Sequence, residues 1–180
     1  PTERGATKRG TRFPIEGKLD FDKVSFQYEP QGAPIIDGLS FTINSGEIFG
    51  IVGRSGSGKS TVLRLIQGLH APLNGVLRID NRDIREIDLV HLRQNIGVVL
   101  QENFLFRGTV KENLAASNPT ATLEQILEVT RISGADEFIE KLPFGIDTKL
   151  EENASNLSGG QRQRLSIARA LLRDPKILIL

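Results

Sequence analysis

Gly53-Arg54-Ser55-Gly56-Ser57-Gly58-Lys59-Ser60 satisfies the pattern G-x-x-x-x-G-K-[ST] without a mismatch. This is the P-loop, or Walker A, pattern, and its meaning depends on its context. The apolar run Ile48-Phe49-Gly50-Ile51-Val52 precedes it and predicts a strand. Thr61-Val62-Leu63-Arg64-Leu65-Ile66 follows at helical spacing. In a strand–loop–helix unit the glycines let backbone N–H groups turn inward around an anion. The positive end of the helix points at the same place. The expected ligand is a polyphosphate held by Gly53 through Thr61, with Lys59 reaching the β- and γ-phosphates and the Ser60 hydroxyl ligating Mg2+. A dinucleotide fingerprint fails on spacing, because Gly56 and Gly58 are followed by Thr61 where a third Gly or Ala is needed.

The bulk properties leave room for this reading and close others. The 180 residues suit one large domain, or a core with a subdomain. Lys and Arg total 23 against 22 Asp and Glu, so no global field attracts nucleic acid. No apolar run approaches the roughly 18 residues that span a bilayer. With no cysteine, disulfides, thiolate catalysis and zinc-thiolate sites are excluded. The chain also has no methionine, and Lys176-Ile177-Leu178-Ile179-Leu180 reads as a buried strand without a following turn. The expectation is an excerpt that stops within an element.

Residues 1–18 are rich in Gly, Thr, Arg and Lys and lack an apolar period, which predicts a linker or mobile arm. From Leu19 the pattern is that of strands. Leu19 and Phe21, then Val24, Phe26 and Tyr28, alternate with a one-residue slip that predicts a bulge. Leu39, Phe41 and Ile43 alternate before a turn at Asn44-Ser45-Gly46. Asn74-Gly75 reads as a turn before Val76–Ile79, and Ile96–Leu100 as a strand buried on both faces. The middle is helical. Thr109 is placed to cap Val110–Ala116, and Thr122 a helix whose shared face is Leu123, Ile126, Leu127 and Thr130. A short helix follows at Ala135–Lys141. Gly160–Arg173 reads as a long helix ended by Asp174-Pro175. Strands flanking a helical insert predict an α/β core with a β-rich part and a helical part.

Leu157-Ser158-Gly159-Gly160-Gln161 narrows the function. Ser158 is placed to cap a helix whose two glycines expose N–H groups at its positive end, a second anion site about one hundred residues after the first. One chain has no evident use for two polyphosphate sites, but two chains head to tail would bring them together across one nucleotide. With these motifs in order, the chain from Leu19 to Leu180 resembles the nucleotide-binding domain of ABC (ATP-binding cassette) transporters. Gly53–Ser60 matches Walker A, and Leu157–Gln161 with Arg162-Gln163-Arg164 matches the family signature. Gln101 stands where the family has a Q-loop glutamine that contacts Mg2+ and the membrane domain. Tyr28 stands where exporters have an aromatic that stacks on adenine. Leu92–Gln101 and Leu105–Leu114 resemble exporter-type domains, including those of type I secretion and peptide export.

The resemblance implies a P-loop NTPase fold with an antiparallel β subdomain and a helical subdomain near residues 102–165. It implies ATP and Mg2+ as ligands, and Lys59 and Gln101 as the catalytic residues present. Ser158, Gly159, Gly160 and Gln161 would act on nucleotide bound by a second copy. A transmembrane domain, joined upstream through the arm, would place the unit on the cytoplasmic face of an inner or plasma membrane. The sequence departs from the pattern at Leu150-Glu151-Glu152-Asn153-Ala154, where exporters usually read Val-Gly-Glu-x-Gly. The Walker B Asp and catalytic Glu would follow Leu180, as would the switch histidine, so the C-terminal part of the core is expected to be missing and this piece slow or inactive alone. Two other readings stay open: a binding module without turnover, and a soluble ABC protein acting on nucleic acid or ribosomes.

Overall fold

A computed structural model describes residues 10–100 and 104–180, and these divide into two compact units with the boundary between Ile96 and Gly97. The first is built on β1 (Leu19–Phe26), β2 (Ile36–Ile43), β3 (Asn74–Ile79) and β4 (Arg82–Asp83), an antiparallel sheet ordered β2-β1-β3-β4. Leu19, Phe21, Val24 and Phe26 are all buried, although the alternation slips between Phe21 and Val24. The slip is a bulge: the register shifts there against both neighbours, and Lys23 has φ 49°. Gly75 faces this bulge, and a Cβ on it would lie 2.2 Å from the Lys23 carbonyl oxygen. The expected turn at Asn74-Gly75 is therefore the first step of β3, where two backbones approach closely. The tight turn comes later, at Asp80-Asn81, whose positive φ values of 49° and 65° suit a two-residue hairpin between β3 and β4.

The apolar run before the P-loop departs from expectation. Residues 48–52 form no strand, and Ile48 and Val52 are 100% and 93% exposed. A strand needs a neighbour for its N–H and C=O groups, and this run has no ladder partner among the described residues. Phe49 is the exception in its contacts. Its ring stacks on Phe41 at 5.2 Å, and Phe41 stacks on Phe21 at 4.4 Å.

The described part of the expected mobile arm, residues 10–18, is tied down. Its hold comes from backbone groups, which a periodicity search does not register. The Asp80 carboxylate accepts from the amides of Glu16, Gly17 and Lys18 at 2.8, 3.3 and 2.9 Å. Thr11 bridges Ile87 in parallel, and Arg12 pairs with Asp88 at 3.4 Å. Asp88 also caps α2 (Leu89–Gln94), and His91 of that helix meets the Phe13 carbonyl through Nε2 at 2.6 Å. Helix α1 (Lys59–Ile66) is linked to α2 where Arg93 Nε donates to the Gln67 carbonyl at 3.3 Å.

The second unit begins within β5 (Ile96–Val98), shorter than the expected run to Leu100, which is 66% exposed. Here β5 pairs with β8 (Ile177–Ile179), the Val99 amide donating to the Ile179 carbonyl. A two-residue pair, β6 (Gly108–Thr109) and β7 (Lys149–Leu150), leads into α3 (Val110–Ala115) and out of the helical region. Around one core pack α3, α4 (Leu123–Ile132), α5 (Asp136–Ile139) and α6 (Gly159–Leu171). Thr109, Thr122 and Ser158 cap these helices as the sequence predicts, and each also closes a reciprocal box with the residue three positions on. The buried face of α4 is Ile126, Val129 and Thr130, whereas Leu123 and Leu127 are exposed. The stripe meeting α6 and α3 is thus rotated by about one position from the one the sequence predicts.

Buried Asn113 fixes the exporter-like stretch. Its Oδ1 accepts from the Phe106 amide at 2.7 Å, and its Nδ2 donates to the carbonyls of Phe106 and Thr109. In the departing segment, Glu151 has φ −71° and is comfortable where exporters have glycine. Ala154 is not: it has φ 50° and is fully buried. A left-handed alanine costs roughly 1–2 kcal/mol, so the loss of that glycine is a real strain.

The three amide bonds on Asp80 give a direct test of the docked arm. Asp80→Ala should speed tryptic cleavage after Arg12 or Lys18 by roughly 10- to 150-fold, since hydrogen bonds to a charged group contribute about 1.5–3 kcal/mol to the closed state. Mass-spectrometric timing of the cuts after Arg12 and Lys18 measures it, and an unchanged rate there would show that Asp80 does not hold the arm.

Candidate functional site

The P-loop turns at Arg54–Ser57, where the Ser57 amide donates to the Arg54 carbonyl at 3.2 Å. It ends at Gly58, the N-cap of α1, with φ 89° and ψ 2°. That backbone is strained for any residue with a Cβ, and a Cβ there would also lie 3.0 Å from the Ile35 carbonyl oxygen. The start of β2 thus packs against the loop. No side chain caps α1, whereas Asp88, Thr109, Thr122 and Ser158 cap α2, α3, α4 and α6. The first amides of α1 are left to whatever occupies the loop.

Lys59 spans this loop. Its Nζ donates to the carbonyls of Gly53 and Arg54 at 2.7 and 2.8 Å, with Ser57 Oγ at 3.5 Å. Its positive charge therefore lies among the loop's own dipoles, beside the uncapped helix start. Ser60 is exposed in the first turn of α1. Thr61 is buried, and its hydroxyl turns away to Tyr28. Arg54, Ser55, Gly56 and Ser57 are exposed.

Tyr28 lies beyond the end of β1, in the connection to β2 that closes where the Ile35 amide donates to the Phe26 carbonyl at 2.9 Å. Its hydroxyl accepts from Arg64 Nη1 at 3.0 Å and shares a 3.2 Å hydrogen bond with Thr61 Oγ1. The Thr61 bond lowers the phenol pKa; burial opposes this and the bond and charge of Arg64 assist it. Phe26 and His70 meet the Tyr28 ring edge to face at 5.0 and 5.4 Å. Burial, then the charge of Arg64, holds the His70 imidazole below its ordinary pKa. The Tyr28 side remains 38% exposed. Three expected site elements, the loop, Thr61 and Tyr28, thus come together in the first unit. Arg64 was not among the expected site residues. Its signal was present in the spacing: it lies one turn after Thr61, on the same face of α1.

The signature lies in the second unit. Ser158 Oγ accepts from the Gln161 amide at 3.3 Å, and Gln161 Oε1 accepts from the Ser158 amide at 2.8 Å. Arg162 ties α6 to the preceding turn by donating to the Leu157 carbonyl at 2.7 Å. Gly159 and Gly160 are exposed, and a Cβ on either would meet nothing within 4 Å. Packing among the described residues gives no reason for glycine at these two positions. Gln101 lies outside the described residues.

The family model for ABC transporters matches residues 36–180. The chain belongs to that family. The cyclolysin secretion/processing ATP-binding protein of Bordetella pertussis is 48% identical over 92% of the chain. The exotoxin translocation ATP-binding protein of Pasteurella aerogenes and the leukotoxin export ATP-binding protein of Aggregatibacter actinomycetemcomitans are 44% and 43% identical over the same share. The chain spans 23% of the length of each. Among solved structures, a bacterial Atm1-family ABC exporter with ATP bound superposes with a TM-score of 0.90 at 34% identity, over 98% of this chain and 31% of the other. The ABC fold accounts for the order of the elements, and membership implies ATP as the ligand.

The residues present fit such a ligand. A glycine-lined loop, an uncapped helix start and an ammonium aimed into the loop form a cradle for phosphate oxygens. For Mg2+ the described donor is the Ser60 hydroxyl.

The Lys59 ammonium sits on two loop carbonyls that phosphate oxygens would replace, so Lys59→Ala is expected to weaken ATP binding strongly. Loss of charge-assisted bonds worth about 2–3 kcal/mol corresponds to roughly 30- to 150-fold in affinity. Nucleotide titration of wild type and variant checks this, and equal affinities would remove Lys59 from the phosphate site.

Proposed function

We propose that the protein is the ATP-binding and ATP-hydrolysing part of an ABC exporter, coupling nucleotide turnover to transport across a membrane. The observation that carries the reading is the single helix α1. Its uncapped start bears Lys59 beside the P-loop, and its next turn holds the aromatic side chain of Tyr28. A nucleotide has the same two parts, a polyphosphate and a base. The relatives' descriptions as secretion, translocation and export ATP-binding proteins support the direction of transport.

In this reading Lys59 and the amides of the P-loop and α1 neutralise the β- and γ-phosphates, and Tyr28 stacks on adenine. Ser60 and Gln101 would hold Mg2+, which would supply positive charge to offset that of the phosphates. Ser158, Gly159, Gly160 and Gln161 act in trans: the start of α6 in one copy closes on nucleotide held by the P-loop of the other. The open space beside Gly159 and Gly160 supports this, since room kept clear of side chains lets a ligand approach the backbone. Hydrolysis then rests on positioning and charge neutralisation more than on covalent chemistry. No helix among the described residues is long and apolar enough to cross a membrane. The membrane part is a transmembrane domain on the upstream side, which leaves this unit on the cytoplasmic face of an inner or plasma membrane.

The trans arrangement has a specific test. In a hydrolysis-deficient form of the full-length protein, Ser158→Arg should leave ATP binding by each copy within about twofold of the parent. It should abolish ATP-driven association, because a long side chain would fill the anion site at that helix start. Sedimentation with and without ATP reads both states. Association unaffected by Ser158→Arg would leave this segment a plain helix cap.

A further inference from the structure

The nucleotide reading gives Tyr28 a task but does not say what holds its ring in place. The tyrosine stands outside β1, on an exposed connection between two strands. An exposed aromatic side chain in such a place turns freely unless its polar end is anchored. Here the anchor is α1. Thr61 and Arg64 are three residues apart and so project from one face of the helix. Lys59 lies about 200° around the axis from Thr61, so one side of the helix serves the loop and another serves the ring. The Arg64 guanidinium donates to the Tyr28 hydroxyl at 3.0 Å, and this is its hydrogen bond among the described residues. A guanidinium has no acceptor capacity, so Tyr28 must accept here, and its own proton remains available for Thr61 Oγ1 at 3.2 Å. Phe26 and His70 press edge to face against the ring and limit its tilt.

We propose that Arg64 is a positioning residue for the base of the nucleotide: its bond to the Tyr28 hydroxyl, with that of Thr61, locks the ring to the helix that carries the phosphate-binding lysine. This rests on the reading above, in which ATP lies in the loop with adenine on Tyr28. Arg64 touches neither phosphate nor base. It acts by fixing the ring before the nucleotide arrives, so that the cost of ordering the side chain does not fall on binding. Immobilising one such side chain corresponds to roughly a two- to tenfold change in affinity. The arrangement also makes the distance from lysine to ring a property of one rigid element. A ligand with phosphates but no base should be indifferent to it.

The test is a set of dissociation constants in the full-length protein, for ATP and for inorganic tripolyphosphate, each with Mg2+. Arg64→Met keeps the aliphatic stem and removes the donor. It should weaken ATP by roughly two- to tenfold and leave tripolyphosphate unchanged. Tyr28→Phe should show the same pattern. The double variant should bind ATP no more weakly than Tyr28→Phe alone, because Tyr28→Phe already removes the hydroxyl that Arg64 bonds. Arg64→Lys should recover part of the loss. Additive losses in the double variant would overturn the proposal, as would an equal loss of tripolyphosphate binding in Arg64→Met. If Tyr28→Ala weakens ATP while Arg64→Met does not, the base platform stands and the role of Arg64 falls. If Tyr28→Ala leaves ATP affinity unchanged, the platform itself is wrong and the proposal falls with it.

Discussion

Helix α1 starts on a left-handed glycine and has no side-chain cap, and the arrangement of the candidate site depends on that start. A cap would satisfy the first amides and close the anion site. A Cβ at Gly58 would strain the turn and press on the Ile35 carbonyl, the point where the β1–β2 connection rests against the loop. The same connection carries Tyr28. Two demands therefore meet at one residue: the loop must curl with its amides inward, and the strand connection must come close enough to bring Tyr28 to α1. Gly58 satisfies both because it adds no side-chain volume and tolerates positive φ.

The helix starts divide by how they satisfy their own amides. Those of α3, α4 and α6 use the reciprocal box of hydroxyl and long side chain, each contributing about 1 kcal/mol to holding its end in place. Helix α6 combines this cap with two exposed glycines in its first turn. The cost of glycine in a helix, about 1 kcal/mol each relative to alanine, is offset there by the box and by the Arg162 bonds to the preceding turn. That start is firm while its surface stays bare. Helix α1 lacks the cap but gains stiffness from Lys59, which cross-links the loop through two carbonyls.

Features set by local chemistry were legible in the sequence. The capping residues Thr109, Thr122 and Ser158, the slip in β1, the P-loop and the signature all announce themselves within a few residues, because caps, bulges and glycine loops are short-range devices. Features that depend on a distant neighbour were not. Residues 48–52 have the composition of a strand, but a strand exists only with a partner. The face of α4 is set by α6 and α3, and Leu123 and Leu127 mimic the true stripe at nearly the same phase. The arm at residues 10–18 looked unstructured because its hold comes from backbone amides on a single carboxylate 62 to 64 residues away. Arg64 looked like an ordinary surface residue of a helix, since nothing in its own segment reveals the hydroxyl that approaches from another element.

The docked arm has a mechanical meaning. A pull along the chain from residue 10 first meets the parallel bridge between Thr11 and Ile87 and the Arg12 pair with Asp88, the residue that caps α2. Behind these lie three amides gathered on the one carboxylate of Asp80. Bonds converging on a single anchor share a load, whereas bonds in a row are peeled one at a time. Tension reaching this strap would pass into the β3–β4 hairpin and the start of α2, and α2 is bonded through Arg93 to the end of the P-loop helix. Such a strap resists traction along its length more than lifting from its residue-10 end.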